Sequence, residues 1–216
     1  MIKTSLKKRI FTSISLFLLL FLILSFQIML VYSLIVLGVF SIIEFNSLMK
    51  RIKINQSYTF FTNIFFILYV FSFCLIFLIF SNFIQLKIIL FSLIICCAGS
   101  DIGGFIIGKM FKGPKLTKIS PKKTISGSVG SLIFSSLFLS SSILYFTNFI
   151  NYKIFIVAIV TSIACQAGDL FFSFLKRKAK IKDTGNFFPG HGGVLDRLDG
   201  IFLGMPIGFL ALRVFY

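Results

Sequence analysis

The sequence predicts an all-α polytopic membrane protein with about seven transmembrane helices and a cytoplasmic N-terminus. Three observations support this fold class. Hydrophobic residues make up 57% of the 216 positions, against about half in a soluble domain, and the mean hydropathy is +1.02. Apolar stretches long enough to cross ~30 Å of hydrocarbon recur along nearly the whole chain. The basic residues are concentrated in alternate segments between these stretches.

Continuous apolar runs mark the spans, and polar or Gly/Pro/Lys-rich stretches separate them. The predicted spans are 10–25, 28–46, 59–81, 86–108, 127–147, 152–174 and 198–215. A basic leader precedes the first span, as in a signal peptide, but no small-residue cleavage site follows it, and we interpret the segment as a retained helix. This first span is short and could form a hairpin with the second. The clearest interruptions are the predicted loops 109–125 and 175–197.

The distribution of basic residues tests the number and the direction of the spans. With the N-terminus in the cytoplasm, 19 of the 22 Lys and Arg residues fall in cytoplasmic segments. Only Lys87, Lys153 and Arg213 fall on the other side. An error of one span would abolish this asymmetry, so both long loops are predicted to face the cytoplasm.

Composition and patterning argue against several classes of function. The net charge of +16 is carried by short loops between apolar runs, where it sets topology and meets anionic headgroups. No polar, aromatic-rich segment offers stacking for a single-stranded nucleic acid, so no nucleic-acid partner is expected. The four cysteines lie inside apolar runs without metal-ligand spacing, which argues against disulfides and a zinc site. No internal repeat is visible, which weakens a transporter built from inverted halves.

The chain has only six acidic residues, and five of them lie in or beside the two long loops. Asp101 and Asp169 are inside apolar runs, near the predicted cytoplasmic ends of the fourth and sixth spans. A carboxylate at that depth costs a few kcal/mol, so it needs a partner or a function. One alternative is an ion pair that only locks two helices together.

The spacing of the acids favours a functional cluster. Asp169, Ser173 and Lys176 are spaced i, i+4, i+7, which places them on one helix face. Asp196 and Asp199 are spaced i, i+3 at the start of the seventh span and share a face as well. If the sixth and seventh helices pack together, up to three carboxylates converge. Oxygen ligands of this kind suit Mg²⁺, which prefers carboxylates together with substrate phosphates.

Two segments near these acids carry groups that bind phosphate. The first is Pro189-Gly190-His191-Gly192-Gly193, where glycines allow backbone N–H groups to approach an anion just before a helix start. The second is Ser120-Pro121-Lys122-Lys123-Thr124 with Gly127, which supplies two ammonium groups and two hydroxyls. The alternatives are a simple turn for the first segment and a generic membrane-flanking basic cluster for the second.

A longer pattern runs through the second loop. Its positions are Ser173, Lys176-Arg177, Lys182-Asp183, Gly185, Phe188-Pro189-Gly190-His191-Gly192-Gly193, Asp196-Arg197 and Asp199. This pattern resembles the signature of the phosphatidate cytidylyltransferases (CDP-diacylglycerol synthases), without a mismatch. Gly168-Asp169-Leu170, the lysine-rich loop and the helix end from Asp101 to Lys109 are also similar to that family. Ile102, Phe105 and Ser126 depart from it, since threonine, tyrosine and glutamate are usual there.

The resemblance implies transfer of CMP from CTP to phosphatidate, giving CDP-diacylglycerol and pyrophosphate for phospholipid biosynthesis. It implies a bacterial inner-membrane enzyme with its catalytic site at the cytoplasmic membrane boundary, and a homodimer, since the family often works as one. N-terminal transmembrane helices would occupy 1–97 and the catalytic membrane region 98–216.

The resemblance also assigns roles to individual residues. The catalytic residues would be Asp169, Asp196, Lys176 and Asp199. The phosphate-binding residues would be Ser173, Arg177, Lys122, Lys123, Lys182, His191, Gly192, Gly193 and Arg197, with Asp101, Ser120, Thr124 and Asp183 in support. Asp169 and Asp196 would bind Mg²⁺, with a second ion that is monovalent or divalent.

Three alternatives stay open at this point. The first is an enzyme of the same superfamily with another lipid acceptor, such as an ether lipid or a polyprenol, which acceptor assays would distinguish. The second is an ion or phosphate transporter that uses the intramembrane acids, although these cluster at one face. The third is a non-catalytic scaffold, against which the intact signature argues.

Overall fold

The computed structural model describes residues 22–23, 25–52, 55–117, 119–121, 123–188 and 192–215. Within these residues six helices are formed, and each is long and apolar enough to cross a membrane. They are α1 (Gln27–Arg51), α2 (Gln56–Ser81), α3 (Ile84–Phe111), α4 (Ile125–Thr147), α5 (Tyr152–Lys178) and α6 (Leu195–Phe215). No strand occurs in this part of the chain beyond two isolated bridges. The predicted all-α multi-pass membrane fold is therefore confirmed.

The helix bounds agree with the predicted spans from the second to the seventh. The observed helices extend the predicted ones by up to five residues, because polar and basic residues continue the helix beyond the apolar run. Helix α1, for example, ends on Lys50 and Arg51, whose charges suit the negative end of the helix dipole. The first predicted span, 10–25, lies outside the described residues except for its last positions.

The chain divides into two compact units. The first unit comprises residues up to Leu78 together with Leu175–Arg197, and the second comprises Ile79–Phe174 and Leu198–Tyr216. The predicted boundary at 97–98 separates regions by function and stays a prediction.

In the first unit, α1 and α2 pack side by side through small and aromatic residues. Gly38 lies where an added methyl group would be 3.4 Å from the sulfur of Cys74. The rings of Phe45 and Phe66 are stacked with centroids 3.9 Å apart, and Asn63 donates a hydrogen bond of 3.0 Å to Asn46. This packing supports the end of α1 that carries Glu44.

In the second unit, α3 and α4 approach each other closely along a series of glycines. A methyl group added at Gly103 would collide with the carbonyl oxygen of Gly130 and with Phe134, and one added at Gly130 would collide with Ile107. Small residues allow such close approach, which favours association of helices in a membrane. The contact fixes α3, which carries Asp101, against the helix that follows the lysine-rich loop.

Replacing Gly103 by alanine is expected to lower the stability of the second unit by about 1–3 kcal/mol, because backbone atoms of α4 leave no room for a methyl group. The measurement is the apparent melting temperature of the detergent-purified protein. Gly38→Ala is the matched control, since its methyl group would make ordinary van der Waals contact. Equal melting temperatures for the two variants would contradict this account of the interface.

Helices α5 and α6 also meet at glycines within the second unit. A methyl group added at Gly168 would lie 2.5 Å from the carbonyl oxygen of Asp199, and one added at Gly200 would lie 2.6 Å from the sulfur of Cys165. Helices α5 and α6, which correspond to the sixth and seventh predicted spans, therefore pack together at these positions. The contact brings Asp199 beside the helical turn that contains Asp169.

Candidate active site

In the first unit, Asp196 connects the end of α5, the following loop and the start of α6. Its Oδ1 accepts a hydrogen bond of 2.9 Å from the ammonium group of Lys176. Its Oδ2 accepts from the backbone N–H groups of Thr184, at 2.8 Å, and Gly193, at 3.0 Å. The Asp196 side chain is only 7% exposed. Three donors therefore hold one carboxylate in a single orientation.

Gly192 and Gly193, the described residues of the glycine-rich segment, lie against this carboxylate. Gly192 has a φ of +87°, which strongly favours glycine, and its carbonyl oxygen accepts a hydrogen bond of 3.0 Å from the N–H of Phe188. A methyl group added at Gly192 would lie 2.9 Å from Oδ2 of Asp196. Pro189, Gly190 and His191 lie outside the described residues, so the predicted phosphate-binding role of His191 stays a prediction.

Glu44 is a site residue that the sequence analysis did not single out. This buried glutamate of α1 accepts hydrogen bonds from Thr184 Oγ1 (2.8 Å), the N–H of Val194 (3.0 Å) and the N–H of Leu195 (2.9 Å). It was overlooked because its partners are at least 140 positions further along the chain. A signal was present, since Glu44 is a lone acid near the end of an apolar run, as Asp101 and Asp169 are.

In the second unit, Asp169 pairs with a lysine of the preceding loop. One carboxylate oxygen forms an ion pair with the ammonium group of Lys123, and each side chain is 27% exposed. The other oxygen accepts a hydrogen bond of 3.3 Å from the hydroxyl of Ser173. The predicted common face of Asp169 and Ser173 is thus confirmed, and the ion pair joins this face to the lysine-rich loop.

The loop between α3 and α4 is folded back on itself. The N–H of Leu116 donates to the carbonyl oxygen of Lys123 at 2.8 Å. Thr124 precedes α4, and its hydroxyl accepts from the N–H of Gly127 at 3.1 Å, which caps the helix. Ser120 donates its N–H to Thr117 Oγ1 at 3.3 Å. Ser120 and Thr124 therefore have local structural roles, and Lys122 lies outside the described residues.

The two remaining intramembrane acids differ in exposure. Asp199 is buried in α6, and its Oδ1 accepts a hydrogen bond of 2.9 Å from the N–H of Gly200. Asp101 is exposed on α3, where the thiol of Cys165 lies 4.0 Å from its Oδ1. The other predicted site residues are exposed at the ends of α5 and α6 and in the loop between them: Arg177, Lys182, Asp183 and Arg197.

Two further observations limit what the described residues can do. No group of three or more His, Cys, Asp or Glu side chains is arranged there to bind a metal. A cavity of about 520 Å³ in the second unit is lined almost entirely by apolar side chains of α3 to α6, and no predicted site residue lines it.

These features define a class of protein, and comparison with known sequences defines its family. Six apolar helices with charged residues gathered at the ends of α5 and α6 make this a multi-pass membrane protein. A model of the cytidylyltransferase family matches residues 1–215. The chain belongs to the cytidylyltransferase family.

Several curated relatives share part of the sequence. A phosphatidate cytidylyltransferase of Rickettsia felis is 47% identical over 119 residues, which cover 50% of this chain and 52% of the relative. That of Rickettsia typhi is 42% identical over 117 residues, covering 50% and 51%. That of Staphylococcus aureus strain COL is 42% identical over 112 residues, covering 50% and 42%. The chain thus matches about half the length of these relatives.

Proposed function

We propose that this protein transfers CMP from CTP to phosphatidate, producing CDP-diacylglycerol and pyrophosphate. The observation that carries the proposal is the arrangement around Asp196. There the ammonium group of Lys176 and the backbone N–H groups of Thr184 and Gly193 converge on one carboxylate. Membership in the cytidylyltransferase family and the names of the bacterial relatives support the same reaction.

The chemistry needs charge neutralisation more than it needs a strong base. A phosphate oxygen of phosphatidate, already anionic near neutral pH, attacks the α-phosphorus of CTP. The new P–O bond forms as the bond to the β-phosphate oxygen breaks, and pyrophosphate leaves with that electron pair. Alignment and electrostatic stabilisation then dominate the catalysis. Lys176, Lys123, Arg177 and Arg197 supply positive charge, and the two arginines can bind phosphate in a bidentate manner.

Mg²⁺ is the cofactor that fits the donor groups. Asp169 and Asp196 present carboxylate oxygens, and each is balanced by one lysine ammonium group. Magnesium in such enzymes is bound by one or two carboxylates and by substrate phosphates. When bound, it would polarise phosphate oxygens and stabilise the departing pyrophosphate. We therefore keep both aspartates as proposed ligands.

The proposed setting is the bacterial inner membrane, with the two long loops in the cytoplasm. The bacterial relatives and the positive-inside distribution support this placement. A site at this boundary would meet a soluble nucleotide and a lipid headgroup together. Homodimer formation is proposed from the family resemblance alone.

The proposed function is tested by pyrophosphate release from the detergent-purified protein supplied with CTP, phosphatidate and Mg²⁺. Each component is omitted in turn, and the CMP moiety is radiolabelled. Release that requires all three, with label entering the lipid phase, is the expected result. No release from folded protein would contradict the proposal, and ether-lipid and polyprenol phosphate acceptors would then be assayed.

Lys153→Ala is expected to leave the rate of CMP transfer within about twofold of wild type, since surface substitutions away from a site have small effects. Lys153 lies in the first turn of α5, at the helix end opposite to Lys176. Steady-state rates with CTP and phosphatidate provide the measurement. A large loss of activity would contradict the predicted topology.

A further inference from the structure

The buried carboxylate of Glu44 binds the same loop that places Asp196. Glu44 is 7% exposed, and its two oxygens accept one hydroxyl and two backbone N–H hydrogen bonds. Thr184 connects the two acids, because its N–H donates to Asp196 while its hydroxyl donates to Glu44. The loop is therefore held between two carboxylates, one on α1 and one on α6.

The start of α6 depends on Glu44 for a cap. The first N–H groups of a helix lack partners within the helix, and a side-chain oxygen of the preceding residue usually accepts from them. Here the preceding residue is Val194, whose side chain has no acceptor. Glu44 accepts from the N–H groups of Val194 and Leu195 instead, and its negative charge suits the positive end of the helix dipole.

Two glycines of the loop make room for this carboxylate. A methyl group added at Gly185 or at Gly193 would collide with the carboxylate oxygens of Glu44. Gly193 also donates its N–H to Asp196, so a single residue is in contact with both acids. The carboxylate of Glu44 thus lies against the backbone at these two glycines, and a side chain at either position would displace the loop.

We propose that Glu44 is a positioning residue, which fixes Thr184 and the residues from Gly193 to Leu195 so that Asp196 keeps the orientation that cytidylyl transfer needs. This inference rests on the proposed cytidylyl transfer. A buried carboxylate in an apolar helix is costly, and a serine or aspartate at position 194 would cap α6 without it. A remote carboxylate additionally ties the loop to α1, which a local cap cannot do.

The main test is Glu44→Gln, which keeps the size of the side chain. A glutamine amide has one acceptor oxygen where the carboxylate has two. Its NH2 group therefore faces at least one of the three groups that donate hydrogen bonds to Glu44. The expected result is a fall of about 10- to 100-fold in kcat per folded molecule, together with a lower melting temperature because α6 loses part of its cap. A purely structural role would lower the melting temperature but leave kcat per folded molecule unchanged, and that result would overturn the proposal.

The control and the second variant come from neighbouring positions. Ser41→Ala changes a residue one turn earlier on α1. Among the described residues its buried hydroxyl bonds to Leu37 of the same helix, so wild-type kcat is expected.

Thr184→Val removes the hydroxyl that donates to Glu44. It is expected to lower kcat several-fold in the wild-type background and much less in the Glu44→Gln background. If Glu44→Gln does not fold, the Thr184 variants decide. The proposal is overturned if Thr184→Val and Thr184→Ser both have the kcat of wild type.

Hydrogen exchange separates this inference from the proposed function. Peptides covering 184–195 should exchange faster in Glu44→Gln, while those from α4 should not change. If the wild-type protein transfers no CMP to any lipid acceptor, the proposed function fails, but faster exchange at 184–195 still supports positioning of the loop by Glu44. Unchanged exchange in that segment overturns it in either case.

Discussion

Asp196→Asn is expected to lower CMP transfer by about a thousandfold, comparable to the loss of one essential stabilising group in other enzymes. The carboxylate accepts from Lys176 and from two backbone N–H groups. An asparagine amide cannot accept on both atoms, so it releases either the lysine or the loop, and it also removes a negative charge proposed to bind Mg²⁺. Radiolabelled CMP transfer to phosphatidate, titrated with Mg²⁺, provides the measurement.

The control for this variant is the reverse exchange at an exposed helix end, Asn148→Asp, which should keep wild-type activity. Asn148 follows α4 in the left-handed conformation, with a φ of 53°, and aspartate tolerates that conformation as asparagine does. Insertion into membranes and elution as a single species should be equal for both variants. A wild-type rate in Asp196→Asn would remove Asp196 from the proposed metal site.

Asp169→Asn is also expected to lower CMP transfer by about a thousandfold, while insertion into the membrane stays intact. Asp169 pairs with Lys123 and accepts from Ser173, so the substitution leaves an ammonium group without its counter-charge. The same transfer assay measures the effect, and a wild-type rate would exclude Asp169 as a metal ligand.

The double variant Asp169→Asn/Lys123→Met distinguishes a functional pair from a helix-locking ion pair. If the pair only locks the lysine-rich loop to α5, removing both charges should restore activity, because the cost of breaking an ion pair comes largely from the charge that is left alone. If both residues handle substrate and metal, the double variant should be no more active than Asp169→Asn. Recovery of the wild-type rate would favour the structural interpretation.

The helices could be predicted from the sequence because a bilayer imposes a simple length rule. A span must contain about 20 apolar residues, and polar loops interrupt the chain wherever that length is reached. The alternation of basic residues then fixes the number of crossings. The observed bounds of α2 and α4 agree with the predictions within three residues.

The site could be predicted only in part, because the spacing of residues along the chain indicates which side chains share a face of one helix, and not how separate helices pack. The common face of Asp169 and Ser173 followed from the i, i+4 rule. The pairing of Lys123 with Asp169 and of Glu44 with the start of α6 depends on how separate helices pack, and no local pattern encodes it. Thr124 caps α4 by accepting a hydrogen bond from the N–H of Gly127, and its predicted supporting role at the site stays a prediction.

The partners of Glu44 are far along the chain, and this separation has a consequence for biogenesis. Leu195 follows Glu44 by 151 positions, so at a synthesis rate of about 5–20 residues per second the carboxylate waits roughly 8 to 30 seconds for its last donor. During that interval Glu44 is without the N–H groups of Val194 and Leu195 that bind it in the folded protein. Translation speed between α2 and α5 therefore sets how long α1 exists before its contact with α6 can form.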